Sequence, residues 1–120
     1  MSETGAQLVR YALEQLNTKH IFTVLGNHNR EIYDALNRST SINTYLLNQE
    51  ISAVFMADAI SRSATDIKVG TILITADAII SRGIADAFIS GIPLLVITGG
   101  PVENELTDGI DPLELLQPVT

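Results

Sequence analysis

Two patterns of apolar residues alternate along the chain. In one, apolar residues recur three and four positions apart, as on one face of a helix, and in the other, short apolar runs are rich in the β-branched residues typical of strands. This alternation predicts helices over residues 4–16, 29–36, 50–62, 79–89 and 112–116, and strands over residues 21–25, 42–47, 69–74 and 93–98. Thr4 stands where a residue that caps the first helix is expected.

Helices and strands in alternation are typical of right-handed βαβ units, which build a parallel sheet covered by helices on both faces. The run over residues 69–74 is apolar on both faces, which predicts a central and fully buried strand. No internal repeat or low-complexity linker divides the sequence. We therefore predict one α/β domain over residues 1–120, a three-layer sandwich with a parallel, flavodoxin-like sheet.

Small or polar residues follow the carboxyl end of each predicted strand. They occupy residues 26–29, 48–50, 75–78 and 98–101. In a parallel sheet these segments lie along one edge, where α/β proteins bind their ligands. Loops are polar and rich in glycine for ordinary reasons as well. This pattern alone therefore leaves two interpretations open, a ligand crevice at the edge or a set of ordinary turns.

Glu50 is a carboxylate at the start of an otherwise apolar helix, directly after the second predicted strand. A glutamate in the first turn of a helix ordinarily compensates the helix dipole, which is worth roughly a few tenths of a kcal/mol. A strand-to-helix junction in an α/β protein is also a place where ligands bind. Position alone favours the ordinary interpretation, and other features of the chain are needed to favour the second.

Composition excludes several classes of function. The 120 residues are 46% hydrophobic with a net charge of −7, which suits a compact domain and opposes binding to nucleic acid or to anionic membranes. There is no cysteine and only two histidines, His20 and His28, so we expect no metal site and no thiol nucleophile. GxxxxGK[ST], GxGxxG and GxSxG motifs are all absent. With neither a membrane-spanning run nor a signal peptide, we expect a cytoplasmic protein.

Four segments together resemble a known family. In chain order they read TGAQLVRYALEQL, IFTVLGNHNREIYDAL, NQEISAVFMADAISR and GIADAFISGIPLLVITGGP. In this order and spacing they resemble the pyrimidine-binding (Pyr) domain of thiamine diphosphate enzymes, in the branch of acetolactate synthase and the 2-oxoacid decarboxylases. The resemblance covers residues 4–120. Its most specific part is the glutamate followed by an Ala-x-x-Met-Ala-Asp helix, together with the Ile-Pro-Leu-Leu-Val-Ile-Thr-Gly strand.

The resemblance implies a role for Glu50. In the family the matching glutamate hydrogen-bonds N1′ of the aminopyrimidine ring, which lets the cofactor's own amino group remove the C2 proton of its thiazolium ring. Such an acid holds its proton near neutral pH if an apolar surround raises its pKa. Suitable neighbours are Leu46, Leu47, Ile51 and Val54. The residues implied to contact thiamine diphosphate are Gly26, Asn27, Asn29, Gln49, Glu50, Thr75, Ala76 and Asp77, with Glu50 as the catalytic residue.

The sequence departs from the family pattern at several positions. The family's Gly-Pro-Gly turn after the third strand is Ala76-Asp77-Ala78 here, so Cβ atoms stand where backbone would approach the cofactor, and Asp77 brings a second carboxylate. Gln49 replaces a histidine, and Leu25 replaces a proline. The Phe-Gln pair after the fourth strand is also replaced, in the acidic region of residues 107–109. These differences put ordinary catalysis in doubt.

The resemblance also implies partners that this sequence does not supply. In the family, Mg²⁺ and the diphosphate are held by a diphosphate-binding domain or subunit with a Gly-Asp-Gly…Asn motif, which is absent here. Because the family's sheet has more strands than are predicted here, we expect a Pyr domain truncated at its C-terminal end and inactive on its own. The broad apolar surface of the helix from Glu50 to Arg62 predicts a homodimer through that helix.

The main hypothesis is the pyrimidine-binding half of a thiamine diphosphate-dependent 2-oxoacid carboligase or decarboxylase. One alternative is a non-catalytic Pyr-like module kept for dimerisation or regulation, which the lost Gly-Pro-Gly turn favours. Another is a flavodoxin-like binding domain of a different kind. The sequence does not identify a substrate.

Overall fold

The elements of the structure alternate as the sequence predicts. The computed structural model describes residues 2–26, 29–63, 69–74, 81–99 and 116–120. The elements are α1 (Gly5–Gln15), β1 (His20–Thr23), α2 (Arg30–Asn37), β2 (Asn43–Leu46), α3 (Glu50–Ser63), β3 (Gly70–Ile74), α4 (Ser81–Ile89), β4 (Leu94–Thr98) and a 3₁₀ turn (Gln117–Val119). Of the short helix predicted over residues 112–116, only Leu116 lies within the described residues, and it is buried.

The described strands form one sheet in the order β2-β1-β3-β4, and all neighbouring pairs are parallel. Thr23 at the end of β1 lies opposite Leu46 of β2 and Leu73 of β3. Ile74 at the end of β3 lies opposite Thr98 of β4. The carboxyl ends of the strands therefore meet at one edge of the sheet, and the predicted α/β fold with a parallel, flavodoxin-like sheet is confirmed.

Two apolar clusters cover the two faces of the sheet, because side chains alternate along each strand. On one face, Ile21 and Leu73 pack with Leu13 of α1 and Leu36 of α2. On the other face, side chains of β1 and β3 pack with α3, α4 and the C-terminal segment; the buried members are Phe22, Ala53, Val54, Ala57, Ile72, Ile74, Ile84 and Leu116. Helices on both faces make the predicted three-layer sandwich.

The prediction of a fully buried central strand is correct for β3 and wrong for Val69. Every residue of Gly70–Ile74 is buried, and β3 has a strand on each side. Val69 is 43% exposed. It precedes Gly70, which is the first residue of β3 paired to β4, so the strand ladder does not cover it.

Thr4 caps α1 as predicted. Its hydroxyl accepts a hydrogen bond from the Gln7 backbone N–H at 3.2 Å, and the Gln7 side chain accepts one from the Thr4 backbone N–H at 2.8 Å. This capping box satisfies two amide groups that would otherwise lack partners at the helix start. It fixes the beginning of α1 at the residue the sequence indicates.

Two glycines let α3 approach its neighbours closely. A Cβ at Gly70 would lie 1.9 Å from the carbonyl oxygen of Ala57, so the backbones of β3 and α3 are in contact there. A Cβ at Gly83 of α4 would lie 2.7 Å from Cγ1 of Val54. Glycine is unfavourable inside a helix. At position 83 a larger residue would collide with Val54, so the close packing of α4 on α3 requires glycine there. Both contacts fix the position of α3 and hence of its first residue, Glu50.

Candidate cofactor-binding site

Glu50 is buried at the carboxyl edge of the sheet. It is the first residue of α3, directly after β2, and only 5% of its surface is exposed. The preceding residues Asn48 and Gln49 are exposed. Burial of a carboxylate is costly, and compensation of a helix dipole returns at most about 2 kcal/mol even in a partly buried position. Dipole compensation alone therefore does not account for the burial of Glu50.

The surround of Glu50 is apolar on the helix side. Ala53 and Val54, which are three and four residues later on α3, are fully buried. Ile51 and Leu47 are partly buried. Leu46 was expected among these neighbours, but 54% of its surface is exposed, because β2 is the edge strand of the described sheet. The apolar surround therefore comes mainly from α3 itself.

Asp58 is a second buried carboxylate on α3. Asp58, two turns beyond Glu50, is paired with the Arg62 side chain of the next turn. This hydrogen bond, with the charge of Asp58, raises the pKa of Arg62. Since α3 runs from the carboxyl edge towards the amino edge, Asp58 lies away from the strand ends where ligands bind. Its burial is explained by a structural ion pair, so Glu50 is the buried α3 carboxylate that lies at the ligand edge.

The loop after β1 is closed by the side chain of Asn29. Its Oδ1 accepts a hydrogen bond from the Gly26 N–H at 2.9 Å, and its Nδ2 donates to the Val24 carbonyl at 2.9 Å. Asn29 is 1% exposed and makes no side-chain capping bond to α2. In this structure Asn29 therefore fixes the loop, which positions Gly26. Its contact with a cofactor stays a prediction.

The ends of β1 and β2 bring part of the predicted site together. The Leu47 N–H donates to the Thr23 carbonyl at 2.8 Å, which continues the ladder past the end of β2. The loop with Gly26 and Asn29 and the junction with Gln49 and Glu50 therefore follow adjacent strands. The remaining predicted residues, Asn27, Thr75, Ala76 and Asp77, lie outside the described residues.

Strand order adds a feature that the sequence did not reveal. The chain passes from β1 to β2 on one side and then to β3 on the other side of β1, so the connections after β1 and β3 leave the sheet in opposite directions. Ligands of doubly wound α/β proteins bind at such a switch point. β3, which precedes residues 75–77 in the sequence, lies on the opposite side of β1 from β2 and the junction at Glu50.

Apolar side chains remain exposed on two packed helices. Phe55 and Met56 of α3 are exposed, as the width of the apolar surface in the sequence predicts. Phe88 and Ile89 of α4 are exposed too. The two helices contact each other on the same face of the sheet. Exposed apolar side chains are therefore present on α4 as well as on α3, where the sequence predicts them.

Comparison with known proteins identifies the family. The model of the family "Thiamine pyrophosphate enzyme, N-terminal TPP binding domain" matches residues 3–115. The chain belongs to this family. Among the described residues of this TPP-binding domain, no group of three or more His, Cys, Asp or Glu side chains could hold a metal ion. No helix in the described ranges is long and apolar enough to cross a membrane.

Three relatives with similar sequences are acetolactate synthase large subunits. It is 36% identical over 99 residues to the acetolactate synthase large subunit of Buchnera aphidicola subsp. Acyrthosiphon pisum (strain APS), covering 80% of this chain and 17% of the relative. It is 34% identical over 99 residues to the acetolactate synthase isozyme 3 large subunit of Escherichia coli (strain K12), with the same coverage of 80% and 17%. The acetolactate synthase large subunit of Lactococcus lactis subsp. lactis (strain IL1403) is 31% identical over 124 residues, covering 98% and 21%. The chain thus spans about a fifth of these relatives.

The described residues fit one end of thiamine diphosphate. A buried carboxyl group suits a hydrogen bond to a ring nitrogen, and Glu50 offers it beside a loop that Asn29 holds in place. The diphosphate end requires cations or a metal ion. No metal-binding cluster of acidic or histidine side chains occurs in the described part of the chain. Among the described residues, the group that fits the cofactor is the buried carboxyl of Glu50, which suits a ring nitrogen.

Proposed function

We propose that this chain is the pyrimidine-binding half of a thiamine diphosphate-dependent 2-oxoacid carboligase or decarboxylase, in which Glu50 is the activating acid. The observation that supports this most is the burial of Glu50 at the carboxyl edge of the sheet, in a chain of the TPP-binding family. When bound, thiamine diphosphate supplies the carbanion chemistry. The chain supplies the acid that holds a proton at N1′ of the ring.

The proposed roles of the other residues follow from their positions. Gly26, Asn27 and Asn29 form the loop beside the pyrimidine, and Asn29 acts as a positioning residue because its amide closes that loop. Gln49 lies next to Glu50 at the start of α3. Thr75, Ala76 and Asp77 complete the site from the connection after β3.

The relatives are named acetolactate synthases, and this chain covers 17% to 21% of their length. We propose that the diphosphate and Mg²⁺ are held by a diphosphate-binding domain or subunit outside residues 1–120. In this proposal the chain does not turn over a substrate by itself. A reaction of the acetolactate synthase type requires the complete assembly.

We also propose a homodimer through α3, with α4 beside it. Support comes from the exposed apolar side chains Phe55, Met56, Phe88 and Ile89 on two adjacent helices. Exposed apolar groups that cluster on one surface are typical of sites where proteins associate.

The proposed role of Glu50 is tested with Glu50→Gln in the full assembly. The amide has nearly the same size but cannot donate a carboxyl proton to N1′, so we expect most of the activity to be lost while the circular dichroism spectrum is unchanged. Glu3→Gln, which removes an exposed carboxylate, is the control and should leave activity unchanged. If Glu50 only compensates the helix dipole, Glu50→Gln costs less than about 1 kcal/mol of stability and activity persists.

The non-catalytic alternative rests on the sequence Ala76-Asp77-Ala78. Replacement of these three residues with Gly-Pro-Gly distinguishes the hypotheses. Tighter binding of thiamine diphosphate in the variant indicates a functional pocket that these side chains weaken. If neither form binds the cofactor when the diphosphate-binding partner is present, the chain is a non-catalytic module.

A further inference from the structure

A cleft of about 340 Å³ lies between α1 and α2, on the face of the sheet opposite α3. Its charged and polar lining residues are Gln7, Arg10, Glu31, Asp34 and Arg38, with Thr4 at one end. Both helices run from the carboxyl edge to the amino edge, because each leads to the start of a parallel strand. The volume is at the lower end of the range of about 300–1,000 Å³ for small-molecule sites.

Charges of both signs line the cleft without neutralising each other. Asp34 and Arg38 are four residues apart on α2, a spacing at which an ion pair commonly forms. Yet the side chains of Glu31, Asp34 and Arg38 make no ion pair or hydrogen bond with any described residue. All three residues are exposed, so water solvates their charged groups and a ligand in the cleft can reach them.

Arg10 adds a largely buried cation with an unused donor. Its side chain is 20% exposed, and its buried Nε makes no hydrogen bond within the described part of the chain. Arg10 forms an ion pair with Glu14, whose Oε1 is 3.7 Å from Nε, and its guanidinium carbon lies 5.0 Å from the centre of the Tyr11 ring. Oε1 of Glu14 accepts a 2.7 Å hydrogen bond from the Ser39 hydroxyl, and the hydrogen-bond donor at Nε of Arg10 stays unused. A buried donor that is left unsatisfied is unfavourable, and a ligand carboxylate would relieve this.

We propose that the cleft binds a small zwitterion of the size of a free amino acid. Its carboxylate pairs with the guanidinium groups of Arg10 and Arg38, and its ammonium group pairs with Asp34 and Glu31. Arginine suits this role because its planar donors match a carboxylate in a bidentate arrangement. A ligand with a single charge would satisfy one set of groups and leave the other set unpaired.

The site is separate from Glu50 and does not depend on the proposed cofactor. The cleft between α1 and α2 lies on one face of the sheet, and α3, which begins at Glu50, lies on the other. The two sites are connected through α2, which begins at Arg30, directly after the residue that closes the loop at Gly26.

Four five-carbon probes test the proposal by calorimetric titration into the intact protein. 5-Aminopentanoate and L-norvaline carry both charges at different separations, pentanoate carries only the carboxylate, and pentylamine carries only the ammonium group. We expect at least one of the two zwitterions to bind at least tenfold more tightly than both single-charge probes, which corresponds to about 1.4 kcal/mol. Equal binding of all four, or no binding at millimolar concentration, would overturn the proposal.

Substitutions identify the groups that bind. Arg38→Gln and Asp34→Asn should each weaken zwitterion binding about tenfold, which again corresponds to about 1.4 kcal/mol. Arg30→Gln is the matched control, because Arg30 is an exposed arginine on the same helix that does not line the cleft. Its binding should match that of the unmodified protein. If Arg30→Gln weakens binding as much as Arg38→Gln, the effect is one of net charge and the site is refuted.

Discussion

Gly70→Ala should destabilise the protein because β3 and α3 are in backbone contact at this residue. The added Cβ would lie 1.9 Å from the Ala57 carbonyl oxygen, whereas real Cβ contacts are at least 3.0 Å, so α3 and β3 must move apart by about 1.1 Å or more. The clashing atom belongs to the backbone, and no side-chain rotation relieves the contact. Overpacking costs about 1–3 kcal/mol, and a clash with backbone lies at the upper end of that range, at about 3 kcal/mol. Alanine also reduces the entropy of the unfolded chain, which offsets roughly 0.5–1 kcal/mol.

We therefore expect a net loss of about 2 kcal/mol in the free energy of unfolding, measured by urea denaturation followed by circular dichroism. The melting temperature should fall by roughly 8 °C. Gly5→Ala is the control, because a Cβ there meets no atom within 4 Å. Its stability should be unchanged or slightly higher. If Gly70→Ala lies within about 0.5 kcal/mol of the unmodified protein, the close contact between α3 and β3 is wrong.

Three further substitutions test separate parts of the structure. Thr4→Ala removes the capping box of α1 and should cost about 1 kcal/mol in a denaturation experiment, with no loss if the cap is absent in solution. Asn29→Ala removes both bonds that close the loop, so we expect a loss of about 2 kcal/mol and a shift of the Gly26 amide resonance, and an unshifted resonance would contradict the bond. Phe55→Asp places a charge on the exposed helical surface and should convert the proposed homodimer to a monomer in sedimentation; an unmodified protein that is already monomeric at micromolar concentration refutes the dimer.

The order and type of the elements could be predicted from sequence because their apolar patterns differ so clearly. The run at β3 indicated an interior strand, and the structure has a strand on each side of it. The exposed Val69 could not be predicted, since its exposure depends on where the ladder to β4 begins. From the sequence, Gly83 is only an unfavourable residue inside a predicted helix. Its reason, the contact with Val54, is a tertiary one.

The candidate site was predictable only in part. Glu50 was placed at a strand-to-helix junction from local pattern, but its burial follows from how α3 packs on β1 and β3. The side-chain bonds of Asn29 could not be predicted, because they run back along the chain to Gly26 and Val24, whereas asparagine in a turn commonly bonds the backbone two residues further on. The cleft between α1 and α2 was missed as well, because its charges come from two helices and read separately as ordinary solvated faces.

The most direct test of the central claim is the exchange rate of the C2 proton of bound thiamine diphosphate, measured by nuclear magnetic resonance in the full assembly. The unmodified protein and the Glu50→Gln variant are compared at equal cofactor occupancy. If Glu50 is the acid at N1′, exchange should be slower in the variant by about a hundredfold or more, which is the usual contribution of a positioned acid or base. An exchange rate in Glu50→Gln equal to that of the unmodified protein would contradict the proposed role of Glu50.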